Sequence, residues 1–464
     1  MKSIKILIAI IILLATSNAA MAHYHTLAGK VTDENGKPLF GATVTVVNTA
    51  LGAKTKNNGT FEIKKMLTGK HIMTFSFIGY ETKKYNVEIE VNDPTDLDMG
   101  TITLKESEIL ASPIVVTATR NEKVYEDVPV KISVMDNRIF ERTAAVTLKE
   151  GLGFQPALRI ETNCQNCGYS QIRLNGLEGK YAQILIDGRA VFSALNSVYG
   201  LDQLPTNMIE RVEVMRGGGS ALYGGIAIAG VVNVITKLPS ANEFSIDVNN
   251  SWTNMITPDR NVNMNTSIVN LDQDLGLTLY GNMRDRAAWD ANGDGFTELT
   301  ELKVKSIGAN LFYKPSYLST IKIGYQTTYH ETRGGDSLHL QPHQANICES
   351  IKHNTNLYQI QYEQYLGGSS NKLAVYASYQ DTKRNSYYGV KKDPNAYGYT
   401  DNNTLASGLQ YNHILEDFFG IHMLTAGLAA RAKRLASIHN ANGYLGRSGL
   451  LYDPIFSGNA INSR

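Results

Sequence analysis

The densest chemistry in the chain lies in Asp290-Ala291-Asn292-Gly293-Asp294-Gly295-Phe296-Thr297-Glu298-Leu299-Thr300-Glu301. Acidic and amide oxygens at alternate positions, a glycine and a closing glutamate match the D-x-[DN]-x-[DN]-G-x₅-E calcium loop. In that reading Asp290, Asn292 and Asp294 supply side-chain oxygens and Phe296 its carbonyl. Glu298 acts directly or through water, Glu301 binds with both oxygens, and Gly295 makes the sharp turn. No helical pattern flanks the loop, so calcium would stiffen it and not drive a signalling hand. The competing reading is a solvated acidic loop. A second constellation lies further along: His330, Arg333-Gly334-Gly335-Asp336, His339, His343, Cys348 and His353. Imidazole and thiol can ligate a metal, which makes His339 and His343 candidate ligands, with Arg333 a candidate contact beside them. Unrelated surface histidines would look the same, and the lack of fixed spacing favours that plainer reading. The third is Cys164-Gln165-Asn166-Cys167, a pair that reads as a redox centre, half a metal site or a disulfide.

The N-terminus narrows that choice. Lys2 and Lys5 precede an apolar run from Ile6 to Ala15, and Ala20-Met21-Ala22 has the small-x-small form of a cleavage site. Residues 1–22 therefore read as a secretory signal peptide, too short to span a bilayer. In an oxidising compartment, Cys164 and Cys167 are expected to form a structural disulfide. Cys348 is left without an assigned partner. The formal charge of +1 argues against nucleic acid as a partner. With 25 tyrosines and 2 tryptophans, the chain is moderately polar and rich in interfacial aromatics.

Positioning these loops requires β structure throughout. Residues 23–106 carry short strand-like runs (Leu27–Thr32, Ala42–Val47, Gly59–Ile63, His71–Phe77, Tyr85–Val91) punctuated by Asn35-Gly36, Asn58-Gly59 and Asp93-Pro94. Residues 241–464 alternate apolar and polar side chains, as at Phe244, Ile246, Val248 and Trp252, or Leu373, Val375, Ala377 and Tyr379. That is the pattern of a transmembrane antiparallel barrel, lipid on one face and lumen on the other. Nine strands are expected, near 244–253, 261–270, 274–284, 302–313, 319–330, 355–366, 371–380, 404–414 and 420–431. Long connections (285–301, 331–354, 381–403) alternate with short turns, as outer loops alternate with periplasmic ones. Nine strands cannot close around a plug when plugged transporters use about 22, so the barrel is expected to be incomplete.

Between module and barrel, the residues Ile184-Leu185-Ile186-Asp187-Gly188, Ile209-Glu210-Arg211-Val212-Glu213-Val214, Arg216-Gly217-Gly218-Gly219-Ser220-Ala221-Leu222-Tyr223-Gly224 and Ala229-Gly230-Val231-Val232-Asn233-Val234-Ile235-Thr236-Lys237 follow one another. Together they resemble the plug of a TonB-dependent outer-membrane receptor. Gly29-Lys30-Val31-Thr32-Asp33, Pro38 to Val44, Gly59-Thr60-Phe61 and Ile78-Gly79-Tyr80 resemble the carboxypeptidase-regulatory-like β-sandwich that precedes the plug in many Bacteroidetes transporters. No zinc-ligand signature accompanies it, and no enzyme activity is expected. The resemblance implies a mainly β protein: signal peptide (1–22), sandwich (23–106), linker (107–120), α+β plug (121–240) and part of a barrel (241–464). Ile114-Val115-Val116-Thr117-Ala118-Thr119 resembles a TonB box, an extended segment that adds to the sheet edge of another protein. The implied partners are TonB with its inner-membrane energising complex, outer-membrane lipid, a small-molecule metal chelate and, at the surface, a lipoprotein. Haem or cobalamin is the expected cargo, with ferric siderophore next. A receptor signalling to a periplasmic regulator is the alternative class.

Overall fold

The computed structural model describes residues 24–462 apart from 48, 78–79, 107–113, 116, 118–122, 125–130, 165, 191–199, 218–222, 225–226, 240, 271, 367–370, 418–419, 440–444 and 456–459. The expected signal peptide and the box residues Val116, Ala118 and Thr119 lie outside the described residues. No helix among the described residues is long and apolar enough to cross a membrane.

The N-terminal module is a two-sheet sandwich. Its strands are β1 (His25–Thr32), β2 (Thr43–Val46), β3 (Gly52–Lys54), β4 (Thr60–Met66), β5 (Gly69–Ser76), β6 (Lys83–Ile89) and β7 (Asp96–Thr103). The sheets run β4-β1-β7 and β3-β2-β5-β6. Leu27, Val31, Val44, Phe61, Met73 and Phe75 fill the space between them, with Phe61 edge-on to Phe75. Strands β3 and β7 are additions to the sequence reading; one is too short and the other too acidic to show alternation. Lysines tie the sandwich to the rest of the chain: Lys54 to Glu210 at 2.9 Å, Lys64 to Asp272 at 3.1 Å, and Lys65 to Asp274.

Two short strands, β8 (Ile114–Val115) and β9 (Lys123–Val124), pair antiparallel. The plug then contains β10 (Ile132–Asp136), α1 (Asn137–Arg142), α2 (Leu148–Leu152), β11 (Leu158–Cys164), β12 (Tyr169–Leu174), β13 (Ala182–Ile186), β14 (Ile209–Arg216) and β15 (Gly230–Thr236). Its sheet runs β10-β14-β15-β13, and β11-β12 forms a separate hairpin. The β-branched runs are buried on both faces, which is why they read as continuous apolar text. Asp187 and Gly188 take φ +49° and +74°, the pairing a type I′ turn requires. Capping sets α2: the Thr147 hydroxyl accepts from Glu150 N–H, and the Glu150 carboxylate accepts from Val146 N–H.

The remaining strands form one antiparallel sheet: β16 (Glu243–Thr253), β17 (Thr257–Val269), β18 (Leu275–Arg286), β19 (Glu301–Ser316), β20 (Ser319–Gly335), β21 (Ile347–Leu366), β22 (Asn371–Val390), β23 (Tyr397–Asp417), β24 (Gly420–His439), β25 (Leu445–Ile455) and β26 (Ala460–Asn462). It is a partial barrel wrapped on the plug. Phe244, Ile246, Val248, Trp252 and Ile307 face outward and are exposed, whereas Asn263, Asn282, Ser306, Asn310 and Thr328 face the plug and are buried. That division is the lipid-and-lumen pattern. The expected long connections are shorter than read. The one expected at 331–354 spans only 336–346, and the one at 381–403 only 391–396. At these strand ends the apolar-polar alternation fades while the ladder continues. The sheet also contains a tenth long strand, β25.

Candidate functional site

Three places bring chemistry-bearing residues together: where the segment expected to be a box meets the plug, where the plug hairpin meets the wall, and a loop beside that contact.

At the first, Glu213 sits mid-strand on β14, opposite Asn233 of β15, and both are fully buried. Thr117 closes over them. Its N–H and hydroxyl donate to the Glu213 carboxylate at 2.9 and 2.5 Å, and the Asn233 amide donates to its hydroxyl at 3.0 Å. The Tyr223 hydroxyl donates to its carbonyl at 2.9 Å, and Arg211 holds the other Glu213 oxygen at 2.9 Å. Hydrogen bonds to a buried charge are worth about 1.5–3 kcal/mol each, so this contact is a strong tie. In a segment expected to add to the sheet edge of another protein, Thr117 is wholly enclosed. Ile114 and Val115 already pair with another strand, β9. A short polar residue in an apolar run gave no sign of a partner 96 residues away.

Plug and wall are joined by polar contacts. Arg284 of β18 reaches Glu150 at 2.7 Å and Asp259 at 2.6 Å. The Asp187-Gly188 turn delivers Arg189 to the wall, where it stacks on the Tyr376 ring, 3.5 Å from its centroid, and donates to Gln361. Burial pushes the Asp187 carboxyl above its ordinary range, opposed by two bonds from Thr236.

The tip of the β11-β12 hairpin meets the upper ends of β20 and β21. Gly334 is needed there, since a Cβ would stand 2.3 Å from the Asn166 carbonyl oxygen. Gly335, at φ +111°, turns the chain out of β20, and Asp336 accepts from Ile347 N–H at 2.8 Å to close the loop. The Arg333-Gly334-Gly335-Asp336 run thus has packing and turn roles, and Arg333 donates to the Leu340 carbonyl. Cys164 and Cys167 are not joined by a disulfide. This corrects the expected bridge: Cys164 Sγ instead donates to Glu349 of β21 at 3.1 Å and accepts from Cys167 N–H at 3.2 Å. Cys348, on the opposite face of the strand, packs with Ala345 and Tyr387. An open cavity of about 400 Å³ lies along the base of the hairpin, lined by Leu158, Arg159, Glu161 and Arg173.

In the acidic loop the structure brings together Asp290, Asp294 and Glu298, whose oxygens lie within 4.8 Å of one another. The Asp290 carboxylate accepts from Gly293 and Gly295 N–H at 2.7 and 2.8 Å, holding the turn, and Asn292 donates to Asp294. Glu301 is placed elsewhere, on β19, paired with Lys303 at 2.5 Å. Asp290, Asp294 and Glu298 each offer a carboxylate oxygen of the kind a hard cation takes, without Glu301. Phe296 forms a bridge to Asp336, joining this loop to the glycine turn.

The histidines do not converge. His339 is exposed, and His343 contacts the Tyr397 hydroxyl at 2.9 Å. Neither belongs to a metal-competent group among the described residues. His330 and His353 lie inside the wall as a tilted, fully buried pair, 5.7 Å between ring centroids.

The family model described as the TonB-dependent receptor plug domain matches residues 125–231, and the CarboxypepD_reg-like domain matches 27–116. The chain carries the plug of a TonB-dependent receptor. The vitamin B12 transporter BtuB of Vibrio vulnificus (strain CMCP6) is 33% identical over 133 residues, which is 29% of this chain and 22% of that protein. BtuB of Photobacterium profundum is 32% identical over 126 residues, 26% of this chain and 20% of its own. Among solved structures, the siderophore receptor PirA from Acinetobacter baumannii superposes with TM-score 0.56 at 20% identity, over 66% of this chain and 48% of that one. The ferric enterobactin receptor PfeA from Pseudomonas aeruginosa gives 0.58 at 19%, over 70% and 51%. These superpositions show that the chain shares the fold of those structures, of whose length it spans about half. The curated relatives are transporters, not enzymes.

Proposed function

We propose that this chain lies in the outer membrane and takes part in TonB-driven import of a corrinoid such as cobalamin. The observation that carries import is the box contact: Thr117 is held at a buried carboxylate in the middle of the plug sheet. A pull on the box therefore acts on the plug. Corrinoid is favoured over haem because His339 and His343 do not meet in a ligand set, and because the curated relatives are vitamin B12 transporters. Calcium at Asp290, Asp294 and Glu298 would stiffen the outer loop next to the hairpin tip.

The test is a titration of the full-length receptor with cyanocobalamin, haemin and a ferric siderophore, followed by uptake. Cyanocobalamin should bind, and the double variant His339→Ala, His343→Ala should bind it equally well. Val116→Pro should keep surface binding and lose uptake, because proline removes an N–H needed for strand addition. Siderophore binding with no cyanocobalamin binding would overturn the cargo. Normal uptake by Val116→Pro would overturn the box.

A further inference from the structure

The plug hairpin and the barrel wall share a cluster that neither the calcium loop nor the box contact uses. Cys164 and Cys167 flank the hairpin tip, and Glu349 projects from β21 toward them. One donor atom from each lies within 4.8 Å of the others. A tetrahedral zinc ion has Zn–S of about 2.3 Å and Zn–O of about 2.1 Å, which puts its sulfurs about 3.8 Å apart and sulfur and oxygen about 3.6 Å apart. Both separations fall inside the 4.8 Å within which the donors already sit. Two further features fit. Cys167 N–H donates to Cys164 Sγ at 3.2 Å, orienting the sulfur as outer contacts of metal ligands do. Ile351 and Tyr169 pack beside the sulfurs and limit water on that side. Cys348 is not a fourth ligand, since neighbouring residues of a strand point to opposite faces. The fourth position is left for water or an exogenous donor.

We infer that Cys164, Cys167 and Glu349 form a three-ligand site for a thiophilic cation of the zinc(II) or copper(I) class, bridging plug and wall. Two thiolates select against calcium and magnesium, which take oxygen donors. Binding replaces the thiol protons: two Sγ–H bonds are lost, two metal–sulfur bonds form, and the protons leave to solvent. No oxidant or reductant enters. The bound ion would join residues 185 positions apart in sequence, fixing the hairpin tip against β21.

The experiment uses the full-length receptor, purified under reductant and then freed of it anaerobically, with cobalt(II) and zinc(II) as probes. One cobalt per chain should bind with a thiolate-to-cobalt charge-transfer band, which the carboxylate loop at Asp290 cannot produce. Zinc should remove the band and excess calcium should not. Cys164→Ser and Cys167→Ser should each abolish it. The near-isosteric Glu349→Gln, which threatens folding least, should weaken cobalt binding about tenfold or more. Overall folding of each variant is checked by heat-modifiable mobility in gels. Absence of the band in folded, reduced receptor would overturn the site. So would a Glu349→Gln variant with unchanged affinity, or cysteines that resist alkylation until strong reductant is added, which would mark a disulfide.

Discussion

The plug is held at two ends by opposite means. At the box end, a buried carboxylate and its donors make the contact: Glu213 with Thr117, Arg211 beside it, and Asn233 and Tyr223 holding Thr117 from other sides. At the tip end, side chains are removed so that backbone can touch backbone, with Gly334 against Asn166. The first contact is electrostatic and directional, so it breaks when a few bonds are lost. The second is steric, tolerates little added volume, and depends less on any single hydrogen bond. If the chain imports as proposed, the first contact is the one to release and the second the one to retain.

The largest effect should come from Glu213→Ala. It leaves the N–H and hydroxyl of Thr117 and the Arg211 guanidinium facing a buried gap, and removing one partner of such a group costs about 3–5 kcal/mol. The segment should become accessible without cargo, read as faster labelling of a cysteine placed at the neighbouring Ala118, with Thr117 kept, and as tighter binding of the TonB C-terminal domain. Unchanged labelling would mean the carboxylate does not hold the box. At the other end, Gly334→Ala should cost about 1–3 kcal/mol, the usual range for overpacking. Protease cleavage near Asn166 should rise while box labelling stays as in the wild type. If the box also opens, the two ends are coupled and the contrast fails.

A smaller effect is expected in the acidic loop. Glu298→Gln should lower calcium affinity about tenfold, or about 1.4 kcal/mol, because it removes one of three converging carboxylates. Glu301→Gln should change little, since Glu301 faces Lys303. Calorimetry on both variants decides between the structure's donor set and the bare motif.

The smallest effect concerns the docked sandwich. Burial pushes the Glu210 carboxyl up, but the charges of Lys54, Arg211 and Lys237 more than offset this, and its pKa falls below the ordinary 4.5. The folded state therefore binds protons less readily than the unfolded one. The contribution is complete above pH 4.5 and fades as pH falls through the lower folded value. Lys54→Ala should cost less than about 1 kcal/mol at neutral pH, as half-exposed pairs do. The loss should shrink further in acid, measured as protease release of the sandwich.

Much of this architecture was legible along the chain. Alternation located nine strands of the wall. What escaped were contacts between distant positions. Thr117 looks like any residue of a short apolar run, and only the fold supplies Glu213. Glu349 gives no sign in sequence that it faces Cys164. The oxidising compartment argued for a bridge because it considers cysteines alone, without a carboxylate from another element. Strand ends were misjudged for a related reason: β21 and β22 keep their pairing beyond the point where apolar and polar side chains alternate. Glu301 matched a motif by spacing, but the ladder of β19 claims it first.

The order of strands in the plug sheet has a mechanical corollary. β10 is the first strand of that sheet after residues 114–119 in chain order, and among the described residues it lies at the edge, with β14 its one neighbour. Tension applied at Ile114 is borne by the side-chain clasp at Thr117 until that clasp yields. The load then passes down the chain to β10 and meets no other strand of the sheet on the way. Peeling β10 leaves β14, β15 and β13 joined to one another. The sheet is thus wired in series at one edge and in parallel everywhere else, so a modest pull can withdraw a single strand and spare the rest.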